Sequence, residues 1–150
     1  MKLTTRGRFA VTSMIDLALY GGDRPVRLCD IAARQHISIP YLEQIFATLR
    51  RAELVISVRG PGGGYLLARP KEEITAGEIV SALDGQVEET KCRGGASCLG
   101  GAECLAHGLW TDMNHQVAQF LNSRTLADIL KLYAANHLPD SPDVICIKPV

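Results

Sequence analysis

Three cysteines and one histidine recur at regular spacing in the segment CRGGASCLGGAECLAH. Cys92, Cys98 and Cys104 lie six residues apart, and His107 follows three residues later. Six residues turn an α-helix by about 600°, so a helix would place the thiols on different sides. The glycine pairs between the cysteines disfavour a helix further. The segment is therefore predicted to be a loop that wraps around a bound group.

Three thiolates and one imidazole suit two kinds of metal centre. Zinc accepts this donor set in a tetrahedral site, but its usual closely spaced cysteine pairs are absent here. A [2Fe–2S] cluster spans two irons and tolerates wider spacing, although most such clusters use four cysteines. The spacing favours the cluster over zinc, and a disulfide with a spare thiol is the third alternative.

Cys104 and His107 are close enough in sequence to project together from the start of a long helix. A helix N-terminus favours thiolates and an anionic cluster. The histidine is a weak point of such a site, because an imidazole ligand can be protonated. A cluster that is easily lost suits a sensor better than an electron carrier.

The composition describes a folded protein with an uneven charge distribution. The chain has 150 residues, 47% of them hydrophobic, and a formal net charge of zero. Residues 1–70 carry ten Lys and Arg against five Asp and Glu, a net of +5, and residues 71–150 carry six against eleven, a net of −5. The basic part suggests a polyanionic partner. Five cysteines, an odd number, favour metal or redox chemistry over disulfides.

The sequence favours a cytoplasmic protein without a membrane span. It has no apolar run long enough to cross a bilayer. Basic residues precede an apolar stretch near the N-terminus, as in a signal peptide, but Thr12, Ser13 and Asp16 interrupt that stretch. Five cysteines in a reduced cytosol agree with a metal site.

The basic part has the pattern of a helix-turn-helix. Apolar residues at helical spacing predict a helix over residues 7–20, a short helix over Leu28–Gln35 and another over residues 38–51. Ser38 is expected to cap the last of these, with Pro40 in its first turn. The side chains of this helix that are expected to be buried are Leu42, Ile45, Phe46 and Leu49.

A β-hairpin is predicted directly after the helix-turn-helix. Val55–Val58 and Tyr65–Leu67 have the composition of strands, and the glycine-rich segment 60–64 joins them. This order is typical of a winged helix. The fold class is therefore predicted to be mainly α with a small β-hairpin wing.

The C-terminal part is predicted to be helical. Thr75 and Glu78 form a capping box for a helix that ends near Gly85. A long amphipathic helix and a short helix over Thr125–Tyr133 follow the cysteine loop. The apolar stripe of the long helix is expected to meet another subunit, and packing within its own domain is the alternative. The stripe consists of Leu105, Leu109, Met113, Val117, Phe120 and Leu121.

The exposed face of the predicted helix over residues 38–51 carries side chains that can contact DNA bases. Base edges in the major groove carry a distinct donor and acceptor pattern, and Gln44 can form two hydrogen bonds with adenine. Glu43 repels phosphates and so can reject wrong sites, or it is simply solvated. The predicted contacts from this helix are Ser38, Pro40, Tyr41, Glu43 and Gln44.

Arginines and the hairpin tip supply the other predicted DNA contacts. Arg59 and Gly60 lie at the start of a glycine-rich loop that has few side chains, and such a loop can enter a narrow minor groove. A flexible hairpin tip is the alternative. A phosphate-cradling P-loop does not fit, because no Gly-Lys-Ser/Thr follows. The predicted phosphate contacts, which position the protein without specifying a sequence, are Arg6, Arg8, Arg50 and Arg51.

The chain divides into four parts on this interpretation. Residues 1–84 form a winged helix-turn-helix DNA-binding domain, and residues 85–107 form a metal-binding or cluster-binding loop. Residues 104–134 form a dimerisation helix region, and residues 135–150 form a tail.

Three segments together resemble the IscR family of winged-helix regulators. They are LTTRGRFAVTSMIDLAL, ISIPYLEQIFATLRRAELVISVRGPGGGYLLA and the pattern Cys-x5-Cys-x5-Cys-x2-His. The resemblance implies a homodimeric bacterial repressor of iron–sulfur cluster assembly genes that binds double-stranded DNA operators. It also implies binding to a second class of sites when the cluster is absent. The cluster ligands that it implies are Cys92, Cys98, Cys104 and His107.

The resemblance also assigns DNA contacts and has departures. Gln44 and Arg59 match the family's base and wing contacts, and Glu43 matches a position that modulates site choice. His36 stands where the family often has glycine, but histidine tolerates left-handed backbone geometry. Pro40 replaces a residue that can donate to a base.

Three other functions are weighed against this one. A sibling could sense nitric oxide or iron through a similar cluster, and a DNA-binding protein could hold a structural zinc without switching. The third, an oxidoreductase or electron carrier, is not expected, and neither is any other enzyme. The sequence has no cofactor loop, paired carboxylates or arrangement of nucleophile and base.

Overall fold

The computed structural model describes residues 4–85 and 103–137, and these form a mainly α fold with one β-hairpin, as predicted. The elements are α1 (Thr5–Tyr20), α2 (Leu28–Gln35), α3 (Ile39–Arg51), β1 (Val55–Val58), β2 (Gly64–Leu67), α4 (Ala76–Asp84), α5 (His107–Asn122) and α6 (Leu126–Asn136). Cys92, Cys98 and the tail from Leu138 lie outside the described residues.

The turn between α2 and α3 has the geometry of a helix-turn-helix. His36 adopts a left-handed conformation with φ 54°, and Ile37 N–H donates to the Ala32 carbonyl at 3.1 Å. Ser38 is the N-cap residue of α3, as predicted, but its side chain does not make the expected capping hydrogen bond. An N-cap oxygen accepts from the second or third helical residue. Pro40, the second, has no N–H to donate.

The core lies between α1, α3, α4 and the base of the hairpin. The four α3 side chains predicted to be buried are all fully buried. Phe46 packs edge-on against Tyr65 of β2 with ring centroids 4.8 Å apart. Met14 and Leu17 of α1 and Ile79 of α4 complete the contact around α3. Burial of the apolar face of α3 leaves its polar face outward.

A buried ion pair fixes α2 against α1. Arg34 donates from Nη2 to Asp16 Oδ1 at 2.7 Å and from Nε to Asp16 Oδ2 at 3.0 Å. Gln35 donates to the same carboxylate at 2.7 Å, and the Arg34 guanidinium lies 4.1 Å from the Tyr20 ring centroid. The hydrogen bonds to Asp16 raise the pKa of Arg34 above its ordinary value. Arg34 therefore remains charged, and its bonds to Asp16 set the position of the motif's first helix.

The hairpin pairs in a simple antiparallel register, with Val55 opposite Leu67 and Val58 opposite Gly64. Val26 adds one further bridge, because its N–H and carbonyl both bond to Tyr65, at 2.9 and 2.8 Å. This bridge attaches the segment before α2 to the hairpin. The hairpin is thus held to the segment before α2 through Tyr65, while residues 59–62 of its tip are exposed.

The predicted capping box of α4 is present. Thr75 Oγ1 accepts from Glu78 N–H at 3.2 Å, and Glu78 Oε2 accepts from Thr75 N–H at 2.9 Å. Glu78 also accepts from Arg69 at 2.7 Å. Partial burial alone would raise the pKa of Glu78, but the bonds from Thr75 and Arg69 outweigh it and leave that pKa lowered.

The last two helices meet the core at one end. Leu126 and Ala127 begin α6, and their N–H groups donate to the carbonyls of Ile74 and Lys71 at 2.9 and 3.1 Å. No residue of α5 is buried, and Leu109 and Phe120 are 64% and 58% exposed. Among the described residues, no helix is both long and apolar enough to cross a membrane.

Candidate nucleic-acid interface and metal site

The outward face of α3 presents four of its five predicted DNA contacts to solvent. Ser38, Pro40, Glu43 and Gln44 are exposed. Tyr41 is half-buried and packs edge-on against Phe9 of α1, with ring centroids 5.9 Å apart. Tyr41 therefore offers its ring to the core and only part of its surface to a ligand.

Two of the predicted phosphate contacts meet at one hydroxyl of α3. Arg6 Nη2 donates to Thr48 Oγ1 at 3.0 Å, and Arg51 Nη2 approaches the same oxygen at 3.3 Å. The Thr48 hydroxyl in turn donates to the Gln44 carbonyl at 3.2 Å. The N-terminus of α1 is thus joined to α3, and its cationic groups share a surface with Gln44. The sequence analysis did not identify Thr48 as a functional residue.

Arg8 and Arg50 are exposed. Neither forms an ion pair within residues 4–85 and 103–137. Unpaired guanidinium groups are available for phosphates, since no internal carboxylate has to be displaced first. They extend the cationic surface around Arg6 and Arg51.

The hairpin tip has a backbone that requires glycine. Gly60 and Gly62 have φ values of 96° and 75°, in the left-handed region. Gly63 N–H donates to the Gly60 carbonyl at 2.9 Å and closes the turn. Arg59 is exposed directly before it. The result is a narrow tip with one long cation at its base, which suits the minor groove.

Cys104 and His107 lie at the N-terminal end of α5. The helix begins at His107, and Cys104 precedes it, so Cys104 does not project from the helix itself as expected. His107 N–H donates to the Cys104 carbonyl at 3.0 Å, which closes a turn that keeps the two residues together. Cys104 is a half-buried free thiol. Ala106, the N-cap, provides no side-chain capping bond.

The other two predicted ligands, Cys92 and Cys98, fall outside the described residues. Among the residues that are described, no group of three or more potential ligands is found. The structure therefore describes two of the four predicted ligands, Cys104 and His107. Both residues lie at a helix N-terminus whose N-cap residue, Ala106, has no capping side chain, and a helix N-terminus favours a negatively charged ligand.

Comparison with known proteins identifies the family. A family model described as "Rrf2: Iron-dependent Transcriptional regulator" matches residues 3–132. The chain belongs to the Rrf2 family. The Rrf2 match spans both the helix-turn-helix and the segment that contains all four predicted ligands.

Individual relatives agree with the Rrf2 assignment. The chain is 51% identical over 130 residues to the HTH-type transcriptional regulator IscR of Sodalis glossinidius (strain morsitans), covering 87% of this chain and 79% of that protein. Among solved structures, T. potens IscR superposes with a TM-score of 0.77 at 37% identity and 94% coverage of both chains. CymR, the global cysteine regulator of B. subtilis, superposes with a TM-score of 0.78 at 36% identity, covering 88% of this chain and 98% of its own.

These relatives establish a class of function. They are named as transcriptional regulators, not enzymes, and the superposed solved structures share the winged-helix arrangement. The chain is a DNA-binding transcriptional regulator of the helix-turn-helix type.

Proposed function

We propose that this regulator is a homodimeric repressor of iron–sulfur cluster assembly genes and that it senses a bound [2Fe–2S] cluster. The observation that carries the proposal is that a backbone hydrogen bond keeps Cys104 and His107 together at the N-terminus of α5, where the N-cap residue Ala106 has no capping side chain. The names of relatives such as T. potens IscR support the same class of regulator.

The donor chemistry of the chain fits the cluster. Cys92, Cys98 and Cys104 would supply thiolates, and His107 would supply a neutral imidazole. A cluster with three thiolates is anionic, and it would lie near the N-terminus of α5, whose N-cap residue Ala106 has no capping side chain. When bound, the cluster supplies a group whose occupancy and redox state respond to iron, oxygen or nitric oxide. Of the four ligands, the imidazole of His107 is the one that protons can displace, so the protein would lose the cluster easily.

The DNA contacts are assigned by position and exposure. Gln44 would read a base in the major groove from α3, and Arg59 would enter the minor groove from the wing. Glu43 is exposed on the same face and would penalise sites that bring a phosphate or a wrong base against its carboxylate. Arg6, Arg8, Arg50 and Arg51 would hold phosphates, with Ser38, Pro40, Tyr41 and Gly60 in the contact surface.

The long helix α5 would form the dimer interface. Leu105, Leu109, Trp110 and Phe120 are all exposed, although such side chains are normally covered. Helix α6 adds Leu132 at 57% exposure. A two-fold dimer covers such a surface with its own copy and places two recognition helices on one duplex.

Cluster and DNA would be linked thermodynamically. If the cluster changes the affinity for an operator, the operator must change the affinity for the cluster by the same factor. Because Cys104 and His107 lie at the start of α5, cluster binding could change the separation of the two recognition helices. The scheme therefore requires at least one class of sites that distinguishes the two states.

The cluster assignment is tested by the visible spectrum of protein purified without oxygen and reconstituted with iron and sulfide. Broad bands between roughly 320 and 600 nm, bleached by dithionite, are expected for an iron–sulfur cluster. His107→Ala should lose or shift these bands. His115→Ala, an exposed histidine of the same helix, is the matched control and should keep them. A colourless protein, or one with stoichiometric zinc, would contradict the assignment and leave the DNA-binding function in place.

A further inference from the structure

Asp84, the last residue of α4, is bonded to the first turn of α1. Thr4 N–H donates to Asp84 Oδ2 at 3.2 Å, and the Thr4 hydroxyl donates to Oδ1. Thr4 is also the N-cap of α1, because its Oγ1 accepts from Gly7 N–H at 3.1 Å. One carboxylate therefore ties the end of α4 to the beginning of α1. We call Thr4, Gly7 and Asp84 the α1–α4 joint.

The joint is too close to accommodate a side chain at Gly7. Gly7 is buried, and a Cβ added there would overlap the Asp84 carboxylate. Glycine is a poor helix former, so a helical glycine with an ordinary helical backbone needs a packing reason. Its contact with Asp84 is that reason. The two hydrogen bonds from Thr4 to Asp84 and the absence of a side chain at Gly7 are therefore two independent features of the same close contact between α1 and α4.

The same turn of α1 reaches the recognition helix. Arg6, between Thr4 and Gly7, donates to Thr48 Oγ1 at 3.0 Å. Thr48 bonds to the Gln44 carbonyl at 3.2 Å. A continuous series of hydrogen bonds and one helical turn therefore runs from Asp84 to Gln44. Energetic coupling between sites is carried by contiguous packed and hydrogen-bonded elements of this kind.

Asp84 directly precedes the segment that carries the predicted ligands. The helix ends at Asp84, and Gly85 is its C-cap with φ 78°. Cys92 and Cys98 follow in the next fourteen residues of the sequence. Gly85 and Asp84 attach that segment to α4, and Glu103 attaches its other end to the residues before α5. The attachment at Asp84 is the one that belongs to the α1–α4 joint.

We propose that Asp84 and Gly7 are positioning residues for DNA binding, and that the α1–α4 joint transmits the state of the ligand segment to α3. The regulatory half of this proposal rests on the proposed function. The positioning half does not, because the joint would orient Arg6 and Thr48 whether or not a cluster is bound.

The positioning half is tested by fluorescence anisotropy of the full-length, metal-free protein on a duplex selected from random DNA by the wild type. Gly7→Ala should weaken binding, because the added methyl displaces the Asp84 carboxylate. The overlap with Asp84 costs stability and the helix propensity of alanine offsets only part of that cost, so binding is measured at a temperature at which circular dichroism shows every variant to be folded. Asp84→Ala should weaken binding too, although removal of a negative charge by itself strengthens association with DNA. Asp23→Ala, an exposed aspartate in the α1–α2 turn, is the matched control and should not weaken it.

A double-mutant cycle decides whether the joint acts through Thr48. Independent sites give losses that multiply to within about twofold. If Gly7→Ala and Thr48→Val break one series of contacts, the double variant should bind no more weakly than the weaker single variant. Losses that multiply, or an affinity of Gly7→Ala equal to that of the wild type, would overturn the proposal.

The regulatory half is tested by the ratio of affinities with and without the reconstituted cluster. Gly7→Ala should bring this ratio close to one, while Asp23→Ala keeps the wild-type ratio. An undiminished ratio in Gly7→Ala would overturn the transmission role. A wild-type ratio of one would instead refute the proposed function and with it the regulatory half, and the double-mutant cycle would still decide the positioning role.

Discussion

Replacing Arg34 by methionine is expected to destabilise the protein by about 3 kcal/mol. The Asp16 side chain is fully buried and the Arg34 side chain is 11% exposed. Removing one partner of such a pair costs about 3–5 kcal/mol, because it leaves an uncompensated charge in the interior. Gln35 still donates to Asp16 at 2.7 Å, so the lower end of that range is expected.

Removing both charges is expected to restore most of the stability. Asp16→Leu combined with Arg34→Met should lie within about 1 kcal/mol of the wild type, because apolar residues of similar volume can replace a buried pair. Arg27→Met, at the N-cap of the same helix, is the control. Its partner Asp30 lies 3.1 Å away, but the Arg27 side chain is 48% exposed. The control should therefore cost about 0.5 kcal/mol or less.

The assay is urea unfolding followed by far-ultraviolet circular dichroism. Protein concentration is held constant among the variants, since any self-association makes the midpoint depend on it. Equal slopes against urea show that stability alone has changed. If Arg34→Met costs no more than Arg27→Met, or if the double variant remains as unstable as Arg34→Met, the buried ion pair does not have the role described.

Three further outcomes follow from the structure. Because the pKa of Glu78 is lowered in the folded protein, ionised Glu78 stabilises the fold fully above the unfolded-state pKa of about 4.3, and this contribution is lost as the pH falls through the lower folded-state value. Glu78→Gln should therefore make the free energy of unfolding fall less steeply at acid pH. An unchanged pH dependence would contradict this. Arg59→Ala should weaken DNA binding and reduce the slope of log affinity against log salt by about 1, whereas Arg24→Ala, an exposed arginine of the α1–α2 turn, should leave the slope unchanged; equal slopes for all three proteins would remove Arg59 from the interface. Gly77→Ala should destabilise the protein by about 1 kcal/mol in thermal unfolding, because its methyl would overlap Asn122 and overpacking outweighs the gain in helix propensity; a raised melting temperature would show that Asn122 moves aside freely.

The helices and the hairpin could be predicted because their signals are local. Thr75 and Glu78 specify a capping box within four residues, and the apolar spacing of α3 specifies its buried face. Such features depend on neighbours in sequence, so no packing geometry has to be known. The left-handed geometry of His36 was expected only from the resemblance, because the family often has glycine at that position.

The contacts that position the DNA-binding surface could not be predicted, because they join residues far apart in sequence. Asp16 was noticed only as an interruption of an apolar stretch, whereas the structure pairs it with Arg34, eighteen residues away. The bond between Thr4 and Asp84 spans eighty residues. For the Asp16–Arg34 pair, the one sequence signal was a carboxylate on the inner face of an amphipathic helix. Nothing local distinguished Asp84 from the other acidic residues of the C-terminal part.

The most direct test of cluster-dependent DNA recognition is a paired measurement of operator affinity. The same duplexes, including sites selected separately by cluster-loaded and cluster-free protein, are titrated with both forms at one fixed salt concentration, because salt alone changes such affinities greatly. Cluster-dependent recognition predicts at least one class of duplex that the two forms bind with clearly different affinity. Equal affinities of the two forms at every duplex would contradict it.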